Sequence, residues 1–397
     1  MHRPLRPLRP LRRIASTALL RSLAIIGLAA HCAAWAATPV QPLRDDEVIE
    51  ILPLVTRSRP ATATLVQPAA DPAAAARTAR QNIAQARQTG DTRYWGRAQA
   101  VLAPWWDKQD APAELAVLQA TVQQGRHEFE ASRRVLEAAL VRTPNHAQGW
   151  LNLAALERLQ ARYPQALAAC AQVANAGQVL YAQACTLETQ SLQGQHDVAA
   201  QGLQKLISQT SNAEQRSWLS SLLAEGLERS GRDASAAQAY QRSIAFEPDL
   251  YTSIAYSDLL LRTGKPTEAL ALLATSPETD AVLLRRATAW KRLGDTRWQP
   301  TLLALKERTA ELRRRGDDPT LHGRELALIA LWLEDDAPAA LTLARQNLLL
   351  QREPVDWWIA LQSAKAAKAA KNSPALAELN KALQQTGLQD ARLVLKP

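Results

Sequence analysis

The sequence predicts an all-α protein built as a row of helical hairpins. Three observations carry that expectation. Apolar residues recur at helical spacing from Ala73 onward. Short polar turns interrupt them with a regular period. Alternating runs of β-branched residues, the mark of strands, are nearly absent.

The first element is residues 1–36. Six arginines and no acidic residue stand between Arg3 and Arg21, and an apolar stretch from Ser22 to Ala34 follows. Ala34-Trp35-Ala36 satisfies the small-x-small rule for cleavage. Basic, apolar and small-residue segments in that order predict a secretory signal peptide cut after Ala36. The apolar stretch is shorter than the roughly 20 residues a spanning helix needs. Cys32 follows Ala-Ala-His, and the bulk of His31 argues against a lipoprotein signal. Arg12-Arg13 lacks the rest of a twin-arginine pattern, so the ordinary Sec route is expected. The predicted location is the periplasm or the exterior.

This segment also changes the meaning of the charge. The whole chain of 397 residues carries a formal charge of +9, which invites a nucleic-acid reading. Without the six arginines, 41 basic residues face 38 acidic ones, and that reading loses its support. No nucleic-acid partner is expected, and no transmembrane domain after signal cleavage.

Residues 37–72 form a leader rich in Pro, Thr and Ala, in which each proline removes a backbone donor. The run Glu47–Leu52 reads either as a docking strand or short helix or as part of an unstructured tail. The array is expected over 73–388, clearest at 113–276 and degenerate at 73–110 and 280–388, with a tail at 389–397. Its hairpin turns fall at Gly90-Asp91, Gly125-Arg126, Ala161-Arg162, Gly194-Gln195, Gly231-Arg232, Gly264-Lys265, Gly294-Asp295, Asp335-Asp336 and Asn372-Ser373. Their mean spacing is about 35 residues, near the 34 of one repeat type.

The residues inside the period carry a resemblance. Trp150, Leu153 and Ala154 stand in first-helix positions. Tyr163 with Ala166, Ala236 with Tyr240, Ser243 and Pro248, Ala269 with Leu273, and Ser132 with Leu136, Ala139 and Pro144 fill second-helix positions. The small residue admits close helix approach, the large one fills the gap to the next hairpin, and proline stops the helix. The chain resembles the tetratricopeptide repeat family and looks like an exported bacterial protein of that kind. The resemblance implies a right-handed superhelical solenoid of about nine hairpins. It also places the first helices on the concave face. By that mapping the partner-binding slots are Asn152, Arg158, Tyr181, Glu188, Trp218, Glu225, Glu228, Arg229, Tyr251, Asp258, Arg262, Lys291 and Arg292. The Lys/Asn/Arg set by which some family members clamp an acidic C-terminus is missing. Cys170 and Cys185 fall on helices that pack together in such a stack. They are expected as a disulfide stapling two hairpins or as two separate buried thiols.

No catalytic constellation is visible. The sequence lacks HExxH, Gly-rich phosphate loops and a Gly-x-Ser-x-Gly elbow. His127, His146, His196 and His322 read as scattered solvent histidines rather than metal ligands. Arg313-Arg314-Arg315 reads as the basic end of a helix, and Lys365, Lys368 and Lys371 as a solvated face. The tryptophan pairs Trp105-Trp106 and Trp357-Trp358 read as core or cap, with one member of each a candidate contact. No cofactor or metal is expected, and no enzyme. The expected function is a periplasmic interaction scaffold or adaptor holding an extended peptide or envelope protein in the concave groove. The alternative is a structural part of an envelope machine for exopolysaccharide export, pilus assembly or outer-membrane biogenesis.

Overall fold

The computed structural model describes residues 71–314, 318–367 and 374–394, without the side chains of 319 and 320. The signal segment, nearly all of the leader, Arg315, Lys368, Lys371 and the Asn372-Ser373 turn lie outside the described residues. The described residues contain 18 α-helices and no strand. They pair as nine hairpins: α1 (Pro72–Thr89) with α2 (Arg93–Leu102), α3 (Ala113–Gly125) with α4 (Phe129–Arg142), α5 (Ala147–Leu159) with α6 (Tyr163–Asn175), α7 (Val179–Leu192) with α8 (His196–Gln209), α9 (Ala213–Arg229) with α10 (Asp233–Phe246), α11 (Leu250–Arg262) with α12 (Pro266–Leu272), α13 (Asp280–Arg292) with α14 (Trp298–Arg314), α15 (Gly323–Trp332) with α16 (Ala337–Leu350), and α17 (Pro354–Ala367) with α18 (Pro374–Thr386). The fold is an all-α helical-repeat solenoid. No described helix is long and apolar enough to cross a membrane.

The repeat is legible atom by atom. Six successive first helices, α3 to α13, end in the same backbone bond. The amide five residues on donates to the carbonyl of Gln123, Glu157, Gln190, Leu227, Leu260 or Trp290, at 2.8–3.0 Å. This is the Schellman closure, and it requires a left-handed residue just past the helix. Glycine holds that position at 194, 231, 264 and 294, with φ between 72° and 91°. His127 and Ala161 hold it at φ 61° and 57°. On the second helices the small position falls at Ala98, Ser132, Ala166, Ala199, Ala236, Ala269 and Ala340, all at most 1% exposed. A small side chain at that position lets the two helices of a hairpin approach closely. A disulfide joins Cys170 of α6 to Cys185 of α7, with Cα atoms 5.6 Å apart.

The solenoid then returns on itself. The hairpin turns of the early repeats touch the starts of repeats six places later. Gly90 lies against Thr279, the cap of α13. The His127 ring meets that of His322, just before α15, with centroids 5.5 Å apart. The Arg352 amide donates to Leu159 at 2.7 Å, just before α17. The Gln389 amide donates to Leu192 at 2.8 Å, and Ala391 covers Gly231. One apolar cluster accordingly unites Tyr163 and Leu192 with Leu388 and Leu393. This corrects the expectation of solvent histidines. His127 is largely buried in the seam, because its left-handed turn carries the ring onto the next superhelical turn.

Candidate functional site

Between the two superhelical turns lies a cavity of about 450 Å³, open to solvent on the side where Tyr251 is 63% exposed. Helical spacing decides which side chains face it. On α9, Glu225 and Arg229 are four apart; on α11, Tyr251, Ile254, Asp258 and Arg262 follow one stripe; α13 adds Arg285 and Arg292. The opposite wall comes from the second superhelical turn. It consists of Arg324, Glu325 and Trp332 on α15, Glu353, and Val355 and Trp358 on α17. A neighbouring cavity of about 220 Å³ shares Glu225, Arg229 and Glu353 and adds Arg158 and Glu188.

Most of the charges are spent on one another. Arg285 donates two bonds of 2.8 Å to Asp258. Arg324 donates to both oxygens of Asp356, at 2.8 and 2.9 Å, and to Glu353 at 2.5 Å. Arg262 bridges Glu228 and Asp233 at 2.9 and 2.6 Å. Arg392 holds Asp390 at 2.6 Å and reaches Glu228 at 3.3 Å. Arg158 pairs with Glu188 at 2.9 Å. Such buried, bidentate pairs add little net stability against an apolar core but fix one geometry.

Three groups are less fully engaged. Arg229 is 3% exposed and donates from Nε to Ser191 at 3.2 Å, yet its Nη2 has no acceptor. Its one carboxylate neighbour, Glu225, is 3.7 Å away. Glu325 acts through its charge on His127, Arg285 and Arg324. Arg292 donates only to the Leu261 carbonyl. Glu225 accepts from the Tyr251 hydroxyl at 2.8 Å, and burial, reinforced by Glu188, pushes its carboxyl up to about 7. In turn the Glu225 charge raises the Tyr251 hydroxyl, so that proton stays in place. Burial lifts Asp356 to about 6 in spite of Arg324.

Of the slots mapped from sequence, Glu225, Glu228, Arg229, Tyr251, Asp258, Arg262 and Arg292 line the larger cavity, and Arg158 and Glu188 the smaller. Four lie elsewhere. Asn152 donates to Thr121, Tyr181 packs at a tilt against Trp218 with ring centroids 5.4 Å apart, and Lys291 pairs with Asp335 at 2.6 Å. Sequence mapping missed Arg285, Arg324, Glu325, Trp332 and Glu353. The available signal was the helical stripe from Glu325 to Trp332, which continues the first-helix pattern into the eighth hairpin. Trp358 was visible as half of a pair. Its partner Trp357 is buried, while Trp358 packs edge-on to Trp332 at 6.1 Å beside the cavity. Among the described residues no group of three or more His, Cys, Asp and Glu is placed to hold a metal ion.

No protein-family profile matches the chain, and no curated protein sequence does. Solved structures do match. A Rap protein complexed with competence and sporulation factor aligns over 79% of this chain and 85% of its own, at 9% identity and a TM-score of 0.51. Naa15/Naa10 bound to HypK-THB aligns over 79% of this chain and 46% of its own, at 14% identity and a TM-score of 0.30. The TPR domain of P58(IPK) aligns over 80% and 99%, at 14% identity and a TM-score of 0.26. The chain has a tetratricopeptide-like helical-repeat fold.

Proposed function

We propose that the protein is an exported, non-catalytic interaction scaffold that receives a peptide segment of its partner inside the solenoid. The observation that carries this is the cavity. First helices of five hairpins converge on it, and it combines aromatic and aliphatic walls with arginines and carboxylates already locked in place. Preorganised polar groups on an apolar wall orient a ligand without ordering cost. A solenoid presents such a wall over many repeats. Export rests on the basic, apolar and small-residue order of residues 1–36. The fold likeness to a Rap protein in complex with a factor accords with ligand capture.

The test is affinity capture from a cell-envelope extract. Tyr251→Ala in the cavity is compared with Val141→Ser on the exposed outer face, where Val141 is 83% exposed. The expected result is partner loss with the first variant alone. Equal recovery by wild type and both variants overturns the interior site.

A further inference from the structure

The seam that closes the solenoid joins two rims of unlike kind. One rim carries the hairpin turns. The other, at the opposite end of every hairpin, carries the starts of the first helices. In the seam a turn meets the start six places on: Gly90 meets the cap Thr279, the His127 turn meets His322, and Leu159 meets Arg352. The segment after α18 extends that row, with Gln389 against Gly194 and Ala391 against Gly231. It fills the tenth and eleventh places, and the first five turns are thereby covered.

Both rims continue uncovered beyond the seam. The sixth and seventh turns share the geometry of the covered fifth. Gly264 and Gly294 stand at φ 77° and 72°, closed by amide bonds of 2.8 and 3.0 Å, against 75° and 2.9 Å at Gly231. Among the described residues nothing lies within 4 Å of a Cβ placed on Gly264 or Gly294, and Leu293 beside the latter is 48% exposed. On the other rim, the starts of the first and third hairpins are capped as Thr279 caps α13. Asp71 accepts from the Ala73 amide at 2.9 Å and His146 Nδ1 from the Gly149 amide at 3.1 Å, beside 3.2 Å from Val282 to Thr279.

We propose that a second copy of this chain continues the superhelix, seating its start rim on the free turns of the first. The segment after α18 already holds places ten and eleven. The incoming first hairpin therefore takes the twelfth place, on the sixth turn, and its second and third hairpins follow on the seventh and eighth. In that register Lys265 faces Asp71, Arg297 faces Asp110, and Asp335 faces His146. Each pairing sets a donor against a carboxylate: His146 uses Nδ1 for its own helix, so Nε2–H is the side that donates. Lys265, Arg297 and Asp335 are all exposed and reach solvent from the rim. The contact joins unlike surfaces, so each addition leaves one free rim at either end. Such a heterologous contact builds an open row rather than a closed pair. This goes beyond the scaffold reading and stands without it.

Sedimentation velocity of the full mature chain, from about 1 to 100 μM, tests this. The sedimentation coefficient is expected to rise steadily with concentration. Arg297→Glu on the turn rim and Asp110→Arg on the start rim each weaken association about tenfold, because like charges then meet along the contact. An equimolar mixture of the two variants restores it. Each supplies the intact rim that the other lacks, and the two altered rims match one another. A misfolded variant is not rescued by mixing, so a folding defect cannot imitate this result. A chain that stays monomeric at 100 μM overturns the proposal. So does association that stops at two copies, association that ignores both reversals, or a mixture no stronger than its components. The capture experiment with Tyr251→Ala answers separately for the scaffold reading.

Discussion

At the scale of single residues, His127 has the largest consequence for stability. Its ring sits between Phe129 and His322, each 5.5 Å away, with Nδ1 unpartnered. The charges around it are His322, Arg324, Glu325 and Glu353, and burial is the main cause that lowers its pKa to about 4. The unfolded chain therefore takes up this proton first. Stability is full above pH 6.5, falls as pH drops from 6.5 toward 4, and the loss levels off below. It amounts to about 3 kcal/mol at most. Urea unfolding of wild type and His127→Asn at pH 7.5 and 4.5 reads it, since asparagine tolerates the left-handed turn. The gap between the two proteins shifts toward the variant at the lower pH, and a gap that ignores pH removes the histidine from the account. Glu225 and Asp356 titrate in the opposite sense and cancel in the comparison. None of this was readable in the sequence. His127 and His322 are far apart along the chain, and nothing in either neighbourhood announces a contact.

At the scale of elements, the turns were the readable part. Glycine past the first helix reports its own backbone, because the Schellman closure demands φ above zero. The second-helix alanines report the hairpin contact for a similar reason: each residue type answers a local steric demand. The seventh hairpin shows the limit. Its second helix, α14, buries Leu305 instead of a small residue, so the pattern fades although the hairpin persists. Turns also became contacts, which local rules do not foresee. A Cβ on Gly90, at φ 67°, would sit 2.6 Å from Thr279 Cγ2. Gly90→Ala is expected to cost about 2 kcal/mol, half from the left-handed backbone and half from displacing the α13 cap. Thermal unfolding checks it, and a change below 0.5 kcal/mol, on the order of a neutral surface substitution, would show that the seam gives way freely.

At the scale of the whole molecule, the nine-hairpin array followed from period and residue type, while its closure did not. The groove slots were named from the repeat pattern, but their partners came from hairpins a superhelical turn away. Leu388 is the simplest probe of that closure, being 5% exposed in the cluster with Tyr163 and Leu192. Leu388→Asp buries an unpaired carboxylate and is expected to detach the segment. Hydrogen exchange then rises at residues 190–195 and 227–232 as well as at 387–394. A rise confined to the last segment would mean that it covers nothing that matters. The seams between superhelical turns have a mechanical meaning too. An open repeat array leans only on neighbouring units and frays from its ends. Here the first hairpin is braced by the seventh, the second by the eighth and the third by the ninth. Stretching the chain must shear those seams before any coil extends. Residues 71–394 are therefore expected to give way together instead of repeat by repeat, which a force–extension trace would record as a single rupture.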